Sequence, residues 1–377
     1  MHHVTVYRDP ERYAGWPANY GMWAWGDELV LCFTLGYPDP AGRFHTRDRT
    51  RPFVTMEARS RDGGLSWTLR EAPFASPGGR ALSTDEHVVD ELSLTRALDE
   101  GRPVLPRPCP GGVEFTDPDF ALMCARTGLG AGTRAWFYTS ADRCQTWQGP
   151  WALPDFGQAG LEARTDYIVD DRDTCTLYLT AAKACSRSGG GEGGHVFCAR
   201  TVDGGRSFAY LSRVTGEVGD GFVIMPSSVR LSPSTLVTAV RCRGERRCEE
   251  QRGTFDAAPC WIDVYRSQDN GQSWHYLSRP APDTGRGGNP PAMIRLQDGR
   301  LCLCYGYRAS PYGLRACLSE DGGQTWSLPI VLRDDGGNHD LGYPRVVQRS
   351  DGAIVTAYYF NEQAEGERYI AATIWRA

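Results

Sequence analysis

Apolar residues in this chain fall in short runs of about four to eight, usually two runs joined by a turn cluster. Residues 291–308, PAMIRLQDGRLCLCYGYR, show the grammar: an apolar run, a QDG turn, a second apolar run. The same pairing recurs in GMWAWGDELVLCF (21–33), DYIVDDRDTCTLYLTAAK (166–183), SSVRLSPSTLVTAV (227–240) and RVVQRSDGAIVTAYYF (345–360). These predict antiparallel hairpins. Helical patterning is confined to DEHVVDELSLTRALDE (85–100).

A second pattern follows the hairpins. Ser/Thr-x-Asp-x-Gly-x-Ser/Thr-Trp/Phe occurs at 60–67, 140–147, 201–208, 267–274 and 319–326. In this box the Asp side chain can accept backbone N–H groups two residues on, Gly supplies a positive φ, and the aromatic opens the next strand and packs inward. In the second copy Cys144 replaces the Gly, which predicts a turn either distorted or tolerant of the change.

The boxes start 80, 61, 66 and 52 residues apart, each interval long enough for a four-stranded sheet. Five boxed units and a sixth set of strands without a box predict an all-β, six-bladed β-propeller spanning residues 1–377. The strand VTVYR (4–8) is expected to join the last sheet and close the ring. Residues 77–112 carry no box and read as an insertion.

Composition agrees: 44 Gly and 24 Pro suit many turns, and 11 Trp with 17 Tyr supply core and polar-tipped walls. A formal net charge of −5 gives no basic stripe, so nucleic acid is not an expected partner. No apolar run is long enough for a spanning helix, so no membrane role is expected. The opening MHHVTVYRDPERY lacks the stretches of a secretory signal, which predicts a cytoplasmic protein. The 13 cysteines read as reduced structural thiols, with Cys242 and Cys248 flanking a charged loop and able to pair or bind a metal. No His/Cys/Asp spacing suits zinc, and no cofactor is expected. Nothing here sets an oligomeric state.

A propeller binds ligands at one end of its channel, where inner strands begin and second strands end. Inner-strand starts offer Trp16, Asn19, Asp117, Asp119, Arg164, Asp166, Tyr167, Ser227, Asn289, Asp340, Tyr343 and Arg345. Second-strand ends and the loops after them offer His45, Asp48, Lys183, Arg241, Arg243, Arg308, Arg315, Tyr358 and Tyr359. From these, Tyr343, Asp48, Asp166 and Asp340 are the catalytic candidates. The substrate-binding candidates are Arg164, Tyr167, Arg241, Arg308, Arg315, Arg345, His45, Asn19, Asp119 and Tyr359.

The boxes, the six sets of strands and GYPRVVQRSDGAIVTAYY (342–359) resemble the sialidase superfamily, and GWPAN (15–19), ARTDYIVD (163–170), YGYRASPYGLRA (305–316) and DLGYPRVVQ (340–348) resemble its bacterial sialidase-like subgroup. Sialidases hold a sugar carboxylate with three arginines and use a Tyr nucleophile, a Glu that activates it and an Asp acid. The resemblance implies Tyr343 as nucleophile, Arg241 or Arg243 as second arginine, Arg315 as third, and Asp48 as acid. The chain departs from the pattern at three places. GWPAN has no Arg where the first arginine belongs, IMPSSV (224–229) has no Glu, and Tyr358-Tyr359 stands where Tyr-Glu is usual.

The expected function is a glycoside hydrolase acting on a small acidic or polar saccharide. Asp48 or Asp166 would protonate the leaving oxygen, Tyr343 would attack the anomeric carbon or stabilise the positive charge developing there, and Arg241, Arg308 and Arg315 would bind an anionic group. One alternative is a lyase performing β-elimination at a uronate with His45, Tyr167, Tyr343 and Arg164. Another is a binding or assembly propeller without catalysis.

Overall fold

The computed structural model describes residues 1–42, 44–79, 87–184, 193–217, 219, 221–244 and 258–377. It is all-β, with six antiparallel sheets around a central channel. In each full blade the box joins the third strand to the outer strand. Blade 4 illustrates this: Phe222–Arg230 innermost, then Leu236–Arg243, Cys260–Ser267 and, after the box, His275–Ala281. The second strands, such as Glu28–Gly36 in blade 1 and Cys175–Ala182 in blade 3, are buried almost throughout. Each has a neighbouring blade on both faces, so both side-chain rows are apolar or small.

Burial is organised seam by seam. Six apolar clusters lie between successive blades, and the aromatic of each box seals the seam with the preceding blade: Trp67, Trp147, Phe208, Trp274 and Trp326. Blade 6 has no box because its third strand, Tyr369–Trp375, pairs with His2–Tyr7 from the other end of the chain. Trp375 fills the remaining seam, its indole donating to Thr356 Oγ1 at 3.1 Å.

The box turns differ in detail from the sequence expectation. In the first, Asp62 accepts from the amides of Leu65 and Ser66, three and four residues on, and Ser60 Oγ accepts from Gly64 N. The second box forms despite Cys144, which takes φ 65° while its amide donates to Ser140 Oγ at 2.9 Å.

Blade 2 shows a larger departure. It has three strands among the described residues, Ala121–Arg126, Ala135–Ser140 and Gln148–Ala152, and no inner strand. Side chains from the next blade serve its inner edge instead: Thr165 Oγ1 accepts from Cys124 N (3.1 Å) and Tyr167 OH from Leu122 N (3.4 Å). The segment 77–112 precedes this blade, and its helix, Leu94–Asp99, is shorter than the sequence pattern suggested. Leu94 enters the seam between blades 1 and 2. No helix among the described residues is long and apolar enough to cross a membrane. The 11 described cysteines are buried free thiols, while Cys185 and Cys248 lie outside the described residues.

Candidate functional site

Three inner edges are broken by the same unusual device, a bulky residue in left-handed backbone immediately before proline: Trp16-Pro17 (φ 56°), Met225-Pro226 (φ 56°) and Tyr343-Pro344 (φ 50°). Residues before proline favour extended backbone, and a non-glycine residue at positive φ costs about 1–3 kcal/mol, so the surroundings must impose each conformation. Each elbow interrupts the ladder to the second strand, with register shifts between Ile224 and Ser227 and between Gly342 and Arg345. The elbows converge, since Ala18, Met225 and Tyr343 pack in one cluster with Phe222 and Ile224.

Tyr343 is the partly exposed member. Its hydroxyl accepts a hydrogen bond from Arg241 Nη1 at 3.0 Å, and the guanidinium of Arg308 lies 5.3 Å from its ring centre. Burial by itself raises the phenol pKa, but Arg241, Arg308 and Arg164 outweigh it and hold the value below that of an ordinary tyrosine. Arg241 is anchored from Nη2 to Gly287 O, while its Nε is buried with no protein partner among the described residues. Arg308 is fixed by Leu341 O (3.0 Å), Gly288 O (3.1 Å) and Tyr359 OH (2.7 Å).

The Tyr359 hydroxyl passes this contact inward, donating to Asp340 Oδ1 at 2.8 Å. Asp340 is fully buried and also meets His45 Nδ1 (2.5 Å), Arg368 Nε (3.0 Å), Thr46 N (3.3 Å) and Tyr13 OH (3.5 Å). Burial raises its pKa, yet His45, Arg368 and Arg308 prevail and keep it ionised, far below the usual carboxylate range. Burial pulls His45 down to about 4 against the opposing pull of Asp340. His45 is therefore neutral near pH 7, with its Nδ1 hydrogen on Asp340 and the lone pair on Nε2. His339, also lowered to about 4 by burial and by Arg286, accepts from Arg286 at Nδ1 and donates from Nε2 to Phe44 O.

Deeper in the channel, Arg345 acts as a stopper. Its Nη2 donates to carbonyls of two other blades: Ala18 (2.9 Å), Tyr20 and Thr165 (2.7 Å). Burial draws its pKa down to about 10. Beside it lies a cavity of about 230 Å³ lined by five inner strands, with Asp166 on its wall. Ser228 donates to Asp166 from its amide (3.1 Å) and hydroxyl (2.7 Å), but burial dominates and raises Asp166 to about 6.

The predicted site residues thus separate. Tyr343, Arg241, Arg308, Tyr359, Asp340 and His45 come together at the mouth. Arg164 adds its charge to Tyr343 and donates from Nε to Asn19 Oδ1 at 3.2 Å. Asp166 and Arg345 belong to the channel. Arg315 is a correction: it sits on a third strand, and its Nη atoms bind the carbonyls of Leu314, Pro311 and Arg333 in its own blade. Arg308, at the end of the second strand, takes the position beside Tyr343.

Asp48 is a second correction. Its carboxylate accepts from the amide (2.8 Å) and hydroxyl (2.7 Å) of Thr50, closing its own loop, and the Thr50 hydroxyl lowers its pKa, which suits a turn better than an acid. Asp119 pairs with Arg143 of the second box at 2.6 Å, on the face opposite the mouth, because the strand after it is a second strand. Asp117 caps the same turn, accepting from Asp119 N. Tyr167 is also structural: its hydroxyl accepts from Trp23 Nε1 (3.2 Å) as well as Leu122 N, and burial raises its pKa.

Sequence reasoning missed Tyr13, Arg368 and Glu162. Arg368 opens a third strand, a position that also faces the mouth, and Glu162 is a buried carboxylate 3.8 Å from Arg164. No cluster of three or more His, Cys, Asp or Glu suited to a metal occurs among the described residues.

No protein-family model matches the chain, and no curated protein matches it. Solved structures do. A Dyadobacter fermentans protein of unknown function aligns over 99% of this chain and 97% of its own, with a TM-score of 0.68 and 20% identity. A Penicillium chrysogenum α-L-arabinanase complexed with arabinobiose covers 100% and 98%, with a TM-score of 0.60 and 13% identity. A mutant of the NanB sialidase from Streptococcus pneumoniae covers 99% and 68%, with a TM-score of 0.57 and 10% identity. This chain therefore has the sialidase-like six-bladed propeller fold, the fold of several propeller glycoside hydrolases.

Proposed function

We propose that the protein is a glycoside hydrolase that cleaves a small saccharide bearing an acidic or polar group, with Tyr343 as its nucleophile. The observation that carries this reading is the phenol of Tyr343, partly exposed at the channel mouth and hydrogen-bonded to Arg241 beside Arg308. A guanidinium that donates to a phenol oxygen stabilises the phenolate more than the phenol, so the nucleophile forms at lower pH. The phenolate attacks the anomeric carbon, the glycosidic C–O bond breaks, and the leaving oxygen takes a proton; water then attacks the same carbon and loses a proton, the bond to the Tyr343 oxygen breaks, and the phenolate is restored.

His45 is the proton carrier in this reading. Asp340 accepts from Nδ1–H, which leaves the Nε2 lone pair to take the phenol's proton through an intervening water and return it to the leaving oxygen. The remaining N–H groups of Arg241 and Arg308 suit an anionic or carbonyl oxygen on the sugar. Structural neighbours in complex with arabinobiose and with an iminosugar inhibitor support a saccharide of small size.

The test is a screen of purified protein against fluorogenic glycosides of sialic acid, related 2-keto sugars, uronic acids and arabinofuranose. Tyr343→Phe should lower kcat on the active substrate by at least about 10²-fold. Absence of turnover on every glycoside by folded protein would sink the hydrolase reading.

A second reading rests on His45. A neutral imidazole beside arginines can remove the proton α to a uronate carboxylate, giving β-elimination. Ultraviolet absorbance of an unsaturated uronate would mark that outcome and is not produced by hydrolysis.

A further inference from the structure

The left-handed elbow at Tyr343 needs something to hold it, and the structure offers one side chain that does. Asn289, on the approach to the inner strand of blade 5, is fully buried. Its Oδ1 accepts from Tyr343 N (2.9 Å) and Gly306 N (3.2 Å), and its Nδ2 donates to Leu341 O (3.0 Å). One amide therefore grips blade 6 on both sides of Gly342, at the residues that set the elbow.

The fit around that amide is close. A Cβ at Gly342, which has φ 102°, would meet Asn289 Nδ2 at 2.3 Å, and one at Gly306 would meet it at 2.7 Å. Glutamine would add a methylene where there is no space, and serine would lack the second polar atom. The Met225 elbow is held more loosely: its amide donates to Thr180 Oγ1 at 3.4 Å.

We propose that Asn289 is the positioning residue for Tyr343, fixing the elbow that sets its phenol against Arg241. This rests on Tyr343 being the reacting group, but it is measurable without any substrate. Near-ultraviolet difference titration, with Tyr343→Phe as the blank, isolates the ionisation of this one phenol. In the wild type it should titrate below the other tyrosines. In Asn289→Ala the elbow relaxes, the phenol leaves Arg241, and its pKa should rise by about one unit or more. Gly306→Ala displaces the same amide from the opposite side and should act likewise; if Asn289→Ala fails to fold, this variant decides. Where a substrate is in hand, kcat should fall on the order of 10²-fold in Asn289→Ala with KM little changed.

Folded Asn289→Ala and Gly306→Ala proteins in which Tyr343 titrates as in the wild type would overturn the proposal. So would a wild-type Tyr343 that titrates with the other tyrosines. A titration shift in a protein that turns over no glycoside leaves the positioning role standing and removes only the hydrolase reading.

Discussion

Asp340→Asn is the most searching perturbation of the mouth, because it changes charge while keeping shape. The wild-type carboxylate receives His45, Tyr359 and Tyr13 on one oxygen and Arg368 and Thr46 N on the other. An amide has one acceptor oxygen. If its NH2 takes the first position it faces the His45 N–H, and if it takes the second it faces Arg368 Nε and a backbone N–H. Hydroxyls can rotate to accept, but Arg368 and the backbone amide cannot. Arg368, itself fully buried with a side chain 1% exposed, would lose its charge partner. Breaking one side of such a pair costs about 3–5 kcal/mol.

Urea unfolding followed by tryptophan fluorescence measures this, with unchanged m-values as the check that the same transition is compared. The Arg368→Met single variant should lose a similar amount. The double variant should lose less than the sum by about 2–3 kcal/mol, since the second change removes the charge that the first stranded. The pH dependence has a definite sign. Asp340 has a folded pKa depressed below its unfolded value, so its contribution is complete above about pH 4 and declines as the pH falls further. The gap between wild type and Asp340→Asn should therefore narrow in acid. A loss under about 1 kcal/mol near pH 7, or a gap that does not narrow, would refute the reasoning.

Two further predictions concern the channel. Arg345→Met strips the charged donor from the carbonyls of Ala18, Tyr20 and Thr165; because water can enter the adjacent cavity, the expected loss is about 2–3 kcal/mol, read as a lower urea midpoint. A loss within error would show that the stopper is dispensable. Asp166→Asn should act oppositely with pH. The folded pKa near 6 lies above the unfolded value, so the wild-type protein gains from a protonated Asp166 below about pH 4 and loses that gain as pH rises through 6. The variant should gain on the wild type by about 2–3 kcal/mol between pH 4 and pH 8, and melting curves at the two pH values check it.

The scaffold was legible because it is built from local signals. Each box is closed by hydrogen bonds between residues two to four apart, such as Ser60 to Asp62 and Ser66 to Asp62. Each hairpin joins apolar runs that are neighbours in sequence. The absence of a sixth box was also visible, and its cause is topological: the outer strand of that blade, His2–Tyr7, precedes the other blades in the sequence, so no turn joins it to Tyr369–Trp375. The missing inner strand of blade 2 was not visible. Asp117 and Asp119 look like a strand start, and the groups that complete that blade come from Thr165 and Tyr167 of the next one.

The mouth was only half legible. A rule for strand ends found Tyr343, Arg241, Arg308, Asp340, His45 and Tyr359, but could not separate them from Arg315, Asp48 and Asp119. Those three are consumed by carbonyls, a turn and an ion pair, and such uses depend on partners that a linear pattern does not reveal. Nor could the dipeptides Trp16-Pro17, Met225-Pro226 and Tyr343-Pro344 be read as elbows, since residues before proline ordinarily favour extended backbone.

Sequence alone thus determined the repeat, the number of blades and the closing strand, because those follow from turn chemistry and alternation within a few residues. Only the tertiary structure decided which polar groups face one another across the channel. His45 and Asp340 are 295 residues apart, and Arg345 and Ala18 are 327. Contacts of that separation exist only once the ring has closed, and on them rest the ionised Asp340, the neutral His45 and the low-pKa Tyr343.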